Sequence, residues 1–161
     1  MEGVFYHTVS LIFDIWIKFR FGLWNTFKRC NREGSMNKTI SGEVANDIRK
    51  WCEDRPSVRR IVFAVGKSSF QLFAKHFEDW LRSGELVPSQ HKASQDAFRN
   101  YPVDRTAPPP CRTIECVVAV SVSPSFCSVK YPGKRDFWEE HVFQPGLQDF
   151  AEWEDSTRHI R

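Results

Sequence analysis

Between Ser41 and Leu81 the apolar positions change period twice, and the changes mark three elements in a row. Val44, Ile48, Trp51 and Cys52 recur at the spacing of one helical face, while Asp47, Arg49, Lys50, Glu53 and Asp54 fall mostly on the other. Ser41 supplies an N-cap oxygen and Glu43 a negative charge near the positive end of the dipole, so the pattern predicts a helix over residues 41–54, stopped by Pro56. Residues 61–65, Ile-Val-Phe-Ala-Val, then form an apolar run of strand length without polar alternation, the pattern of a strand buried on both faces of a parallel sheet. After Gly66, Ser68 or Ser69 can cap a second helix whose apolar face is Phe70, Phe73, Ala74, Phe77 and Leu81, and Gly84 is its C′ stop. Helix, buried strand and helix make the repeating unit of a layered α/β domain.

The flanks are less regular. Odd positions from Leu11 to Leu23 are apolar and alternate with Asp14, Lys18, Arg20 and Gly22, which favours a strand over residues 11–23. Phe5, Val9, Ile12, Trp16, Phe19, Leu23 and Phe27 offer a competing helical seam. Residues 28–40 are polar and basic, with Gly34 and Ser35 marking a loop. From Gly84 to Pro110 the chain carries Pro88, Pro102 and the triplet Pro108-Pro109-Pro110, with one short candidate helix from Ala93 to Arg99. That composition suits a spacer. Alternation at Ile114, Cys116, Val118, Val120 and Val122 predicts a strand, followed by a weaker one from Phe126 to Tyr131 that would close a hairpin. Pro132-Gly133 reads as a turn, and short helices follow over residues 136–143 and 147–154. The expected organisation is an α/β unit over residues 1–83, a proline-rich linker over 84–111, and a poorly defined β-rich part with an acidic tail over 112–161.

Composition narrows the class. A length of 161 residues, with 14 Phe and 6 Trp, suffices for one core. A net charge of +3 is too small to point to nucleic acid. Five cysteines, an odd number without close paired spacing, argue against a disulfide framework and lead to the expectation of a cytoplasmic or nuclear protein with reduced thiols. Asp14, Lys18 and Arg20 interrupt the N-terminal apolar stretch, so it does not supply the roughly 20 apolar residues of a spanning helix. An interfacial membrane role would use Lys18, Arg20, Lys28 and Arg29 at the headgroups, against core burial as the commoner fate of such a pattern.

Candidate chemistry is sparse. Gly66-Lys67-Ser68 follows a strand and precedes a helix, but the glycine that a Walker A loop needs five positions earlier is Ile61. A helix start at Lys67 and Ser68 can nevertheless hold an anion, against the ordinary alternative of simple capping. Cys111, Cys116, Cys127 and His141 lack the close pairs of structural zinc sites, so no metal is expected. His7, His76, His91 and His159 are isolated in sequence, and no catalytic grouping stands out. The sequence leaves catalysis open, with a non-enzymatic protein favoured, and no cofactor is expected.

The order Thr39-Ile40-Ser41-Gly42, the helix from Glu43 to Asp54, Pro56, the strand through Val65 and the helix through Phe73 resembles the C-terminal portion of a macro domain. The resemblance covers residues 39–82, a partial and divergent match. It implies a partial three-layer α/β/α fold, here in truncated form, and a ligand of the ADP-ribose or nucleotide-diphosphate type, free or attached to a protein. The implied contacts are Ser41 and Gly42 at the diphosphate and Gly66, Lys67 and Ser68 at the far end. Gly42 runs straight into Glu43 without the family's glycine, aromatic and proline, and Gly66 stands where the family often has an aromatic. The family's N-terminal half has no counterpart in residues 1–38. The alternative reading is a non-enzymatic interaction fragment that docks on a protein partner through the aromatic stretch bounded by Phe13 and Trp24.

Overall fold

The computed structural model describes residues 21–32, 40–123 and 126–158. Helices and strands are mixed, and the centre is a three-stranded parallel sheet, so the fold class is a partial α/β. Strands β1 (Phe27–Arg32) and β2 (Ile40–Ala45) form a separate antiparallel hairpin. Then come α1 (Ile48–Glu53), β3 (Arg60–Phe63), α2 (Lys67–Ala74), α3 (Glu78–Arg82), β4 (Leu86–Pro88), α4 (Lys92–Phe98) and β5 (Ile114–Val118). The chain closes with α5 (Tyr131–Trp138), a π-helical turn (Glu139–Phe143) and α6 (Gln144–Arg158).

The sheet order is β3-β5-β4, with Ile61 beside Cys116 and Leu86 beside Ile114. Strand β5 is therefore the central rib, and the 61–65 run, expected in that place, is a neighbour along one side. Side-chain alternation along β5 sorts the core into two layers. Ile114, Cys116 and Val118 face a cluster made with Phe63, Phe70, Phe73, Trp80, Leu81 and Phe98. Val117 and Ala119 face the opposite way, onto Phe137 and Val142. Both faces are covered by helices, which is why β5 carries no outward polar position between Cys116 and Ala119.

Several expectations change. The helix expected from Ser41 starts only after Asp47, whose carboxylate accepts the Lys50 N–H at 3.1 Å. Ser41 and Gly42 lie inside β2, because Ser41 pairs with Asn31 of β1 while Gly42 falls in the register irregularity between the Ser41 and Val44 pairs. The second helix is broken into α2 and α3 at residues 75–77, although Phe70, Phe73, Ala74 and Leu81 are buried as one face, and Gly84 does stand at C′ with φ +81°. Residues 84–111 are no free spacer: β4 and α4 belong to the fold, with Leu86, Ala97 and Phe98 buried in the main cluster. At the C-terminal end the expected strand from Phe126 to Tyr131 is absent among the described residues. Pro132-Gly133, expected as a turn, and Gln144-Pro145-Gly146, which fall between the two expected short helices, instead occupy the starts of α5 and α6. Pro132 lacks only an N–H that a first turn leaves unpaired anyway, whereas Pro145 follows directly on the π-helical turn, where the Gln144 N–H donates to the Glu139 carbonyl. The strand-or-helix reading of residues 11–23, and the stretch from Phe13 to Trp24, lie outside the described residues up to position 20. Positions 21–25 have no regular structure.

Candidate functional site

The residues that follow β3 and β5 are stitched together at the carboxyl end of the sheet. Ala119 N–H donates to the Phe63 carbonyl at 3.3 Å, and Val122 N–H to the Ala64 carbonyl at 3.3 Å. Gly66 N–H also donates to the Phe63 carbonyl, at 2.9 Å, closing the turn. Gly66 has φ +70° and ψ −147°, a conformation that only glycine adopts readily. Its carbonyl accepts from Ser69 N–H, Phe70 N–H and the Ser69 hydroxyl, while no side chain caps α2. Lys67 and Ser68 are exposed at the tip. The first amides of a helix have no acceptor within it and meet an anion favourably. The sequence-derived trio Gly66, Lys67 and Ser68 is thus one junction, with Lys67 and Ser68 at the surface and Gly66 buried.

Ser41 and Gly42 sit elsewhere. Both are exposed on the hairpin, and Gly42 has φ +58° with the Asn31 amide close beneath it. The hairpin meets α2 at its other end, where Lys75 pairs with Glu43 at 2.8 Å and Phe27 packs edge-on against His76 at 5.4 Å. Eight residues of helix separate that end from Gly66, about 12 Å at 1.5 Å per residue. The two halves of the implied site therefore flank α2.

The remaining candidates scatter. Among the described residues no group of three or more His, Cys, Asp or Glu side chains has an arrangement that could hold a metal ion. Cys111 and Cys127 are exposed, whereas Cys116 is buried and burial raises its thiol far above the usual range.

One constellation was illegible in the sequence. On the face of the sheet covered by the C-terminal helices, Arg60 on β3 and Glu115 on β5 pair at 2.7 Å, and Arg60 also reaches Asp149 on α6 at 3.4 Å. Arg60 and Glu115 border a groove of about 350 Å³ with His91 and Lys92 from the start of α4 and Glu140 and His141 from the π-helical turn. The Arg60 side chain is 18% exposed, and its Nε and Nη1 have no acceptor. His91 packs edge-on against Phe137 at 4.8 Å and lies 5.2 Å from His141, ring centre to ring centre. Burial, and then His141, hold His91 below the usual histidine range, with Glu140 opposing. Residues 60, 91, 115 and 141 are too far apart for a local spacing rule to group them.

These observations define a mixed α/β protein with a small, doubly covered parallel sheet. Among the described residues no helix is long and apolar enough to cross a membrane. No protein-family model matches the chain, and no significant match occurs among curated proteins or solved structures.

Proposed function

We propose that this chain is a non-catalytic α/β module that binds a phosphate-bearing ligand at Gly66, Lys67 and Ser68. What supports the reading is one observation: the N-terminus of α2, which makes no side-chain capping hydrogen bond, follows β3 at the carboxyl end of a parallel sheet with Lys67 and Ser68 exposed. That edge is where open α/β sheets bind their ligands, and a helix start with a lysine suits a diphosphate. The ligand class, ADP-ribose or a related nucleotide diphosphate, free or on a protein, comes from the macro-like order of elements over residues 39–82. Ser41 and Gly42, beyond the other end of α2, are not part of the junction.

The test is calorimetric titration of the full chain with ADP-ribose and, separately, with inorganic pyrophosphate. Saturable binding that Lys67→Glu weakens about tenfold or more supports the proposal. Absence of heat at ligand concentrations of about 1 mM overturns it.

A second reading, a non-enzymatic fragment that docks on a protein, is favoured by Leu23 and Trp24. They are 78% and 46% exposed at the end of the aromatic N-terminal stretch. Concentration-dependent self-association that Leu23→Ser with Trp24→Ser abolishes would support this reading, and a monomer at all concentrations that captures no partner would count against it.

A further inference from the structure

We propose that His91 and His141 form a pH-responsive lock between α4 and the C-terminal helical layer, closed when both rings are neutral and loosened by acid. His91 stands at the N-cap of α4 and accepts the Ala93 N–H on its Nδ1 at 3.2 Å. A ring that accepts on Nδ1 carries its proton on Nε2 and is neutral. A second proton would occupy Nδ1, turn the acceptor into a donor and leave the Ala93 amide without its cap.

The same ring is a joint between layers. It packs on Phe137 of α5 at 4.8 Å, and His141 of the π-helical turn packs on that phenyl ring from 4.7 Å. Protonation of both imidazoles would place two cations about this phenyl ring, 5.2 Å apart. The charges facing them come from three directions: Lys92 on α4, Glu140 beside His141, and Arg60 with Glu115 on the sheet. Glu140 lies 3.9 Å from the His141 Nε2 and is mostly exposed, so it offsets one added charge only weakly. Glu115 is engaged by Arg60 at 2.7 Å. Cations therefore prevail in the groove once the histidines charge. The burial that lowers the His91 affinity for protons has the same origin, its place between α4 and Phe137.

The sign of the coupling follows. A histidine held below its usual range when folded binds protons more readily in the unfolded chain. Its contribution to stability is complete above the ordinary histidine value and is lost as pH falls below it, down to the depressed folded value. Phe137 and Val142, with Trp138 packed against the same cluster, seat the C-terminal layer on Val117 and Ala119, so loosening at His91 acts where that layer is seated.

The experiment is imidazole NMR titration of the full chain, with amide hydrogen exchange over residues 131–143 at about pH 7.5 and about pH 5, corrected for intrinsic rates. Expected are a His91 midpoint below that of free histidine and a several-fold faster exchange of these amides in acid. His141→Gln should move the His91 midpoint upward. His91→Asn, which keeps a capping oxygen but does not titrate in this range, should remove most of the acid-induced increase. If His91→Asn does not fold, the titration and exchange of the unsubstituted chain decide. A His91 midpoint at or above the free value, or exchange over 131–143 indifferent to pH, overturns the lock.

Discussion

A methyl group added at Gly66 would come within 3.0 Å of the Ala119 carbonyl oxygen. This close approach joins the turn after β3 to the residues after β5, and so ties the start of α2 to the central strand. Two independent constraints act at one residue: the space is closed by backbone, and φ is +70°. Gly66→Ala is expected to destabilise the chain by about 2 kcal/mol or more. Urea denaturation checks it, and a change below about 0.5 kcal/mol would contradict the tight junction.

Ser94 is fully buried on α4 and works in two directions. Its hydroxyl accepts the Val118 N–H at 2.9 Å and accepts from the Ser89 hydroxyl at 2.8 Å. Ser94→Ala would leave a buried amide at the end of β5 without an acceptor. The expected cost is about 1–3 kcal/mol by denaturation, with the secondary structure content preserved in circular dichroism.

Phe73 and Tyr131 test burial against exposure. Phe73 is enclosed by Phe63 at 5.1 Å and stacked on Phe77 at 4.5 Å. Phe73→Ala should cost about 3–5 kcal/mol, the range for an emptied aromatic site. Tyr131 is 77% exposed at the start of α5. Tyr131→Ala should stay within about 0.5 kcal/mol, and paired thermal melts compare the two.

The cysteines should separate by reactivity. Burial pushes the Cys52 thiol up to about 11, opposed by Arg112 and Arg55, and raises Cys116 further still. The thiolate is the nucleophile, so both should resist a disulfide reagent at neutral pH until the chain unfolds. Cys111 and Cys127, which are exposed, should label first. Mass spectrometry after brief labelling identifies them, and early modification of Cys116 would contradict the sheet packing.

Much of the first core cluster could be read from spacing alone. Phe70, Phe73, Ala74 and Leu81 share a helical face, and a chain that repeats apolar residues at that period can bury them on one side only. Gly84 ended the face where a positive φ was needed. The candidate site was legible to the same extent: Gly66, Lys67 and Ser68 adjoin in sequence and so adjoin in space. The His91–His141 pair was not, since its members lie on different elements and meet only across Phe137.

What the amino-acid order settled by itself is local: the apolar run through Phe63, the stripe on α2 and α3, the alternation at Ile114, Cys116 and Val118, and the glycine stops. Each depends on the period of a single backbone segment and its own sterics. Tertiary structure decided which strand is central, because sheet order depends on partners distant in the chain. It drew Ser41 and Gly42 into a hairpin, since Ile40, Ser41, Val44 and Ala45 pair with β1, whereas an isolated first helical turn is costly to nucleate. It also drew residues 86–98 into the core, because Leu86 and Phe98 find apolar neighbours only once α2, α3 and β5 have assembled around them.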